Sequence, residues 1–161
     1  MNQILSSAVQ LPKLNFKENY EFKIRTNKDK LFIYDTVRKS WVVLTPEEWV
    51  RQHWVAFLIE SQGKSLSSLI LEQKIILNNQ TKRIDLLLTE KTLPKILFEF
   101  KAPQVPVTEK VFEQVARYNS IIQAENIVLS NGYQHIFAYL YQGKYRFVPH
   151  EEFFNKIQSQ S

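Results

Sequence analysis

The 161-residue chain is 44% hydrophobic and 23% charged, with three Gly, six Pro and no Cys. That composition describes one globular domain with a real core. It excludes a disordered or fibrous chain, disulfides, thiolate metal sites and cysteine nucleophiles. The net charge of +5 and a pI near 9.3 favour a polyanionic partner such as nucleic acid, a weak signal shared with many basic proteins.

Met1–Ser7 lacks the basic and apolar regions of a signal peptide, and no apolar run approaches the roughly 18–20 residues of a membrane span. A cytoplasmic location, with no membrane partner, is expected. Residues 1–19 read as loose, then extended around Leu11–Phe16, where Pro12 opposes helix. Tyr20–Thr26, Leu31–Asp35 and Ser40–Leu44 read as three short strands of a β-meander over an edge of the core.

Thr45-Pro46-Glu47-Glu48 is a capping-box signature, with Thr at the N-cap, Pro at N1 and Glu at N3. It predicts a helix from about Pro46 to about Glu60, with Val50, Trp54, Phe57 and Leu58 as its apolar stripe and Gly63 beyond its end. The cap explains Glu48 better than a catalytic role does. His53 reads as a packed or surface side chain rather than a ligand.

Leu69–Asn78 reads as the next strand, and its Glu72 is either an edge charge facing water or a further candidate ligand. Arg83–Leu88 and Ile96–Lys101 then read as two buried strands joined by a hairpin through Thr89–Pro94. Strand side chains alternate faces, so Glu99 and Lys101 share a face with Leu97, and Asp85 shares one with Arg83 and Leu87. A hairpin centred on Thr92 sets Asp85 opposite Glu99, their Cβ atoms roughly 5 Å apart. Such a charged trio on one sheet face is either a satisfied ion pair or a divalent-metal site with Asp85 and Glu99 as hard oxygen ligands and Lys101 beside them.

Ala102-Pro103-Gln104-Val105-Pro106 forces an extended link. Thr108 then caps a helix from about Glu109 to about Gln123, with Val111, Phe112, Val115, Ala116 and Ile122 on its apolar face. Gln114 and Tyr118, four apart, stand on one side of it, either as a polar flank or looking toward Lys101. Asn126–Ser130 reads as a strand parallel to the Glu99 strand through a right-handed crossover. Tyr133–Tyr141 and Lys144–Val148 read as a hairpin, and His150–Ile157 as a short final helix. The expected architecture is α/β: a central mixed sheet flanked by helices, with residues 1–44 as a β extension and 45–148 as the core of a single domain.

Four segments in order carry a resemblance over roughly residues 30–148: Leu44-Thr45-Pro46-Glu47-Glu48-Trp49-Val50-Arg51-Gln52-His53; Lys82-Arg83-Ile84-Asp85; Glu99-Phe100-Lys101-Ala102-Pro103; and Phe112-Glu113-Gln114-Val115-Ala116-Arg117-Tyr118-Asn119. Together they resemble the PD-(D/E)XK nuclease superfamily. Within it they are most similar to the N-terminal nuclease domain of type I restriction enzyme R subunits, in its small stand-alone version. The resemblance implies a restriction-endonuclease-like core acting on nucleic acid, chiefly DNA, with Mg²⁺ or Mn²⁺ as cofactor. It implies Asp85 and Glu99 as metal ligands and Lys101 as the motif lysine; beside it, the Phe100 backbone carbonyl is a further expected ligand, with Glu48 or Glu72 as other candidates. Gln114 and Tyr118 match the Gln-x-x-x-Tyr motif of this branch.

Two features depart from the family pattern. Phe100 stands where a smaller residue is more usual, although its side chain faces away from Glu99 and Lys101. No Gly-x-x-x-x-Gly-Lys-Ser/Thr occurs, so the translocating motor of type I restriction is not implied for these residues. The expected activity is metal-dependent phosphodiester hydrolysis with little base readout. The alternative is a catalytically inactive module that binds nucleic acid or protein on the same fold.

Overall fold

A computed structural model describes residues 11–159. The expected loose start, residues 1–10, lies outside the described residues. The chain first forms an antiparallel meander of β1 (Ile24–Asn27), β2 (Lys30–Asp35) and β3 (Ser40–Val43). β1 begins later than the expected Tyr20, and Lys28 and Asp29 take positive φ in the two-residue turn to β2. Ile33 and Asp35 point inward and are buried, while Arg25, Phe32, Tyr34 and Trp41 lie on the opposite face by strand alternation.

Helix α1 (Pro46–Ala56) starts where the capping signature places it and widens into a π turn over Phe57–Ser61. Thr45 Oγ accepts the Glu48 N–H at 3.1 Å. The reciprocal arm of the box is absent, because the Glu48 carboxylate turns to arginines instead (below), which corrects its reading as a capping residue. Thr45→Ala is expected to lower stability by about 1 kcal/mol, read from the urea midpoint at unchanged m-value. His53 is a packed side chain, as expected: Nδ1 lies 2.8 Å from the Trp49 carbonyl, and the ring sits among Phe16, Phe22 and Trp49.

The main sheet runs in the order β4 (Leu69–Leu77), β5 (Gln80–Glu90), β6 (Leu93–Phe100), β7 (Asn126–Ser130), β8 (His135–Tyr141), β9 (Lys144–Val148). All neighbours are antiparallel except β6 and β7, which are parallel across α2 (Glu109–Ile122). On one face Trp54 and Leu58 from the α1 segment and Phe153, Phe154 and Ile157 from α3 (His150–Ser159) cover Leu86, Leu88, Ile96 and Phe98. On the other, Phe112, Val115 and Tyr118 of α2 cover Leu87, Leu97, Ile127 and Leu129. Both faces of the middle of β6 and β7 are therefore dry, which is why Ile96–Phe98 and Ile127–Leu129 read as apolar runs.

The β5–β6 hairpin corrects the expected turn while keeping the expected pairing. The turn residues are Lys91 and Thr92, both at positive φ, so the loop centres between them rather than on Thr92. Left regular, that turn would set Asp85 opposite Phe98. Instead Thr89 pairs with Pro94 while Leu88 pairs with Ile96, leaving Lys95 as the extra residue of a β-bulge. Lys95 is anchored by its ammonium on Glu125 (2.9 Å) and Glu90 (3.5 Å), and its carbonyl accepts from Asn126 Nδ2 at 3.1 Å. Beyond the bulge Leu87 pairs with Leu97 and Leu86 with Phe98. One more step in that register brings Asp85 against Glu99.

Candidate metal centre

The two strands part where Asp85 and Glu99 meet. The ladder ends at Leu86 and Phe98, and the Phe100 N–H is donated to Asp85 Oδ2 at 2.7 Å. The N–H and C=O of a strand residue point to the same side, so the Phe100 carbonyl is also directed toward β5. β4 is interrupted at the same level. Leu71 pairs with Leu86 and Gln73 with Ile84, but Glu72, opposite Asp85, makes no ladder pair and has φ +56°. A left-handed glutamate inside a strand is a strained conformation that its surroundings must hold.

Asp85 and Glu99 approach within hydrogen-bonding reach of each other on the side of the sheet that α2 covers. Burial first, then the charge of Asp85, pushes the Glu99 carboxyl up to about 8, against the opposing pull of Lys101 and Arg51. Burial also raises Asp85, opposed by the Phe100 N–H and by Arg51. Glu99 Oε2 is buried with no hydrogen-bond partner, and Lys101 Nζ stands 3.8 Å from Glu99 Oε1. An unpartnered carboxylate oxygen beside a second carboxylate costs free energy unless a proton or a cation is shared between them.

The other expected residues are placed unevenly. Tyr118 is buried near the pair: burial raises its phenol, and the charge of Glu99 raises it further. Gln114 lies one turn earlier on α2, exposed and without a hydrogen bond to Asp85, Glu99 or Lys101. Glu48 and Glu72 reach the site only through arginines. Arg51 Nη1 lies 3.0 Å from Glu48 Oε2 and 3.6 Å from Glu72 Oε1, and its Nη2 lies 3.3 Å from Asp85 Oδ1. Arg38, from the β2–β3 turn, contacts Glu48 Oε1 at 2.5 Å and Asp35 Oδ2 at 2.6 Å, with Glu72 Oε2 3.8 Å away. Gln52 Nε2 donates to Asp35 and Glu48 at 3.0 and 2.9 Å. Arg83 faces Glu72 at 3.7 Å from an exposed position.

Sequence reasoning missed Arg38, Arg51, Gln52 and Asp35 as members of this network. The available signal was Glu48, Arg51 and Gln52 at i, i+3 and i+4, which gathers three polar groups on one flank of α1. That pattern is also the ordinary solvated face of a helix, and burial is what distinguishes the two.

The donor set suits a hard divalent cation. Asp85 and Glu99 supply carboxylate oxygens, one of them unpartnered, and the Phe100 carbonyl points to the same side. Among the described residues no three acidic or histidine side chains converge as a ready cage. Mg²⁺ commonly binds through one or two carboxylates and keeps several waters, so two suffice for it.

A mixed sheet flanked by helices, with a parallel β6–β7 step and paired acids at the open end of the central hairpin, defines the restriction-endonuclease-like class of α/β domains. Residues 46–153, more than half of the chain, match the family described as type I restriction enzyme R protein N terminus, and the chain belongs to that family. The matched span includes α1, the central sheet and α2 and leaves out the meander. No curated protein and no solved structure matches the chain.

Proposed function

We propose that this domain is a divalent-metal-dependent nuclease that hydrolyses DNA phosphodiesters at Asp85, Glu99 and Lys101. The observation that carries the reading is the Glu99 carboxylate: buried, unpartnered at Oε2, against Asp85, with the Lys101 ammonium 3.8 Å away. Asp85, Glu99 and the Phe100 carbonyl would hold Mg²⁺ or Mn²⁺. The bound ion would supply Lewis acidity toward the phosphate and a nucleophilic water near neutral pH.

The Phe100 N–H and Arg51 hold the Asp85 carboxylate in place beside Glu99. Lys101 lies on the Glu99 side of the pair and stabilises negative charge developing on the phosphate. Tyr118 and, once a substrate is bound, Gln114 provide hydrogen bonds from α2. Lys82, Arg83 and Arg117 contact neighbouring phosphates, which fixes position without reading sequence.

The test is cleavage of supercoiled plasmid with Mg²⁺ or Mn²⁺, wild type against Lys101→Ala. Wild type is expected to nick the plasmid only with the ion present, and Lys101→Ala to be on the order of 10²-fold slower. Equal rates would remove Lys101 from the mechanism. Salt-dependent DNA binding without cleavage under either ion would favour a binding module on the nuclease fold.

A further inference from the structure

The outward face of the meander has an unusual composition for a small solvated sheet. Tyr34 and Trp41 are cross-strand partners with ring centroids 5.5 Å apart at 66°. Phe32 stands opposite Arg25 on one side and Val43 on the other, and Val43 is nearly half exposed. The Arg25 guanidinium lies 4.2 Å from the Trp41 ring centroid and 6.0 Å from that of Phe32, and Lys23 Nζ lies 5.7 Å from that of Tyr34. Among the described residues Lys23, Arg25 and Lys30 form no ion pair with a carboxylate. The acids close by in sequence are Glu18 and Glu21, ahead of β1, Asp29, in the β1–β2 turn, and Asp35, which is buried on the opposite face. Partly exposed rings interleaved with unpaired cations match a chain of stacked bases joined by phosphates.

The platform also ends at the turn that joins the arginine network beside Asp85. Beyond Tyr34 and Trp41, the next cross-strand pair is Asp35 and Ser40, and the turn that follows carries Arg38 onto Glu48 and toward Glu72.

We propose that this face binds single-stranded DNA, with bases stacked on Trp41 and Tyr34 and phosphates held by Lys23, Arg25 and Lys30, and that it delivers the strand to the acidic pair. The delivery step rests on the nuclease reading; the binding does not. Arg25, which now covers the indole, moves to a phosphate when a base takes its place. Duplex DNA keeps its bases in the stack and offers only its backbone, so it gains nothing from the rings.

The experiment measures anisotropy of a fluorescein-labelled single-stranded oligonucleotide of about 12 nucleotides, with EDTA present, and against a blunt duplex of the same sequence. Tryptophan fluorescence is followed in parallel. Wild type is expected to prefer the single strand, with quenching that disappears in Trp41→Ala. Trp41→Ala is expected to bind the single strand about 5- to 100-fold more weakly, with Trp41→Phe largely restoring affinity. Arg25→Gln is expected to leave the rings in place and lower the salt slope by about 0.7; it is the second arm should Trp41→Ala fail to fold.

Wild type binding no oligonucleotide, or preferring duplex, overturns the proposal. So does retention of wild-type affinity in both Trp41→Ala and Arg25→Gln. Plasmid cleavage with metal separates the two readings. Cleavage without Trp41-dependent binding removes the platform alone, and Trp41-dependent binding without cleavage under any divalent ion removes the nuclease alone.

Discussion

Asp85→Asn is expected to abolish divalent-ion binding near neutral pH and to lower cleavage on the order of 10²–10³-fold, with the fold retained. The replacement is isosteric, and the Asn carbonyl can still accept the Phe100 N–H that Asp85 Oδ2 accepts at 2.7 Å. What is lost is one of two charges in the proposed site, whose ligands would be two carboxylates and a backbone carbonyl.

In wild type, burial and the Asp85 charge hold Glu99 up to about 8, so the metal-free pair keeps a proton at pH 7 that a cation must expel. Mn²⁺ affinity is therefore expected to rise up to about tenfold per pH unit between about pH 6 and 8 and then level off. About one proton is released per ion, measurable by calorimetry in buffers of different ionisation enthalpy. Stability runs in the opposite direction. A carboxyl raised in the folded state binds its proton more tightly than in the unfolded chain, so the metal-free protein loses stability as pH rises from the ordinary carboxylate range through about 8. Saturating Mn²⁺ reverses that loss. Tight Mn²⁺ binding by Asp85→Asn at pH 7, or affinity flat from pH 6 to 8, would remove these carboxylates as ligands.

Arg51→Met is expected to cost about 3–5 kcal/mol of folding stability, seen in urea unfolding. Arg51 is 6% exposed and sits among Glu48, Asp85 and Glu72 at 3.0–3.6 Å. Methionine fills much of the volume, but the charges it leaves are uneven in consequence. Glu48 retains Arg38 and Gln52, whereas Asp85 loses its ion pair with Arg51. The raised pair then shifts further upward, because Arg51 is one of the charges holding Asp85 and Glu99 down. Arg51→Lys keeps the charge without the fork that bridges Glu48 and Asp85, and is expected to recover part of the stability. A change below about 1 kcal/mol in Arg51→Met would make this network a solvated one.

Much of this was legible in the sequence. Thr45-Pro46 set the start of α1, because capping is local chemistry. The apolar runs 96–98 and 127–129 announced buried strands, and the link between them required a parallel step. The opposition of Asp85 and Glu99 was also legible, but from a turn that does not exist in the expected form. Two differences cancel: the loop centres half a residue earlier, and the Lys95 bulge restores the register. A bulge is decided by what its extra side chain can reach, here Glu125 across the sheet, and that is a tertiary fact.

The same holds for the arginines. Arg38 and Arg51 look like solvated charges in the chain, Glu48 like part of a helix cap, and Glu72 like either a charge on an edge strand or a further candidate ligand. They become a connected, partly buried network only when the meander's Asp35–Arg38 turn docks on α1. Sequence periodicity determines which face a side chain takes, so it determined the acids and the lysine. Whether a charge meets water or another charge depends on which elements close over it, and only the packed structure decided that.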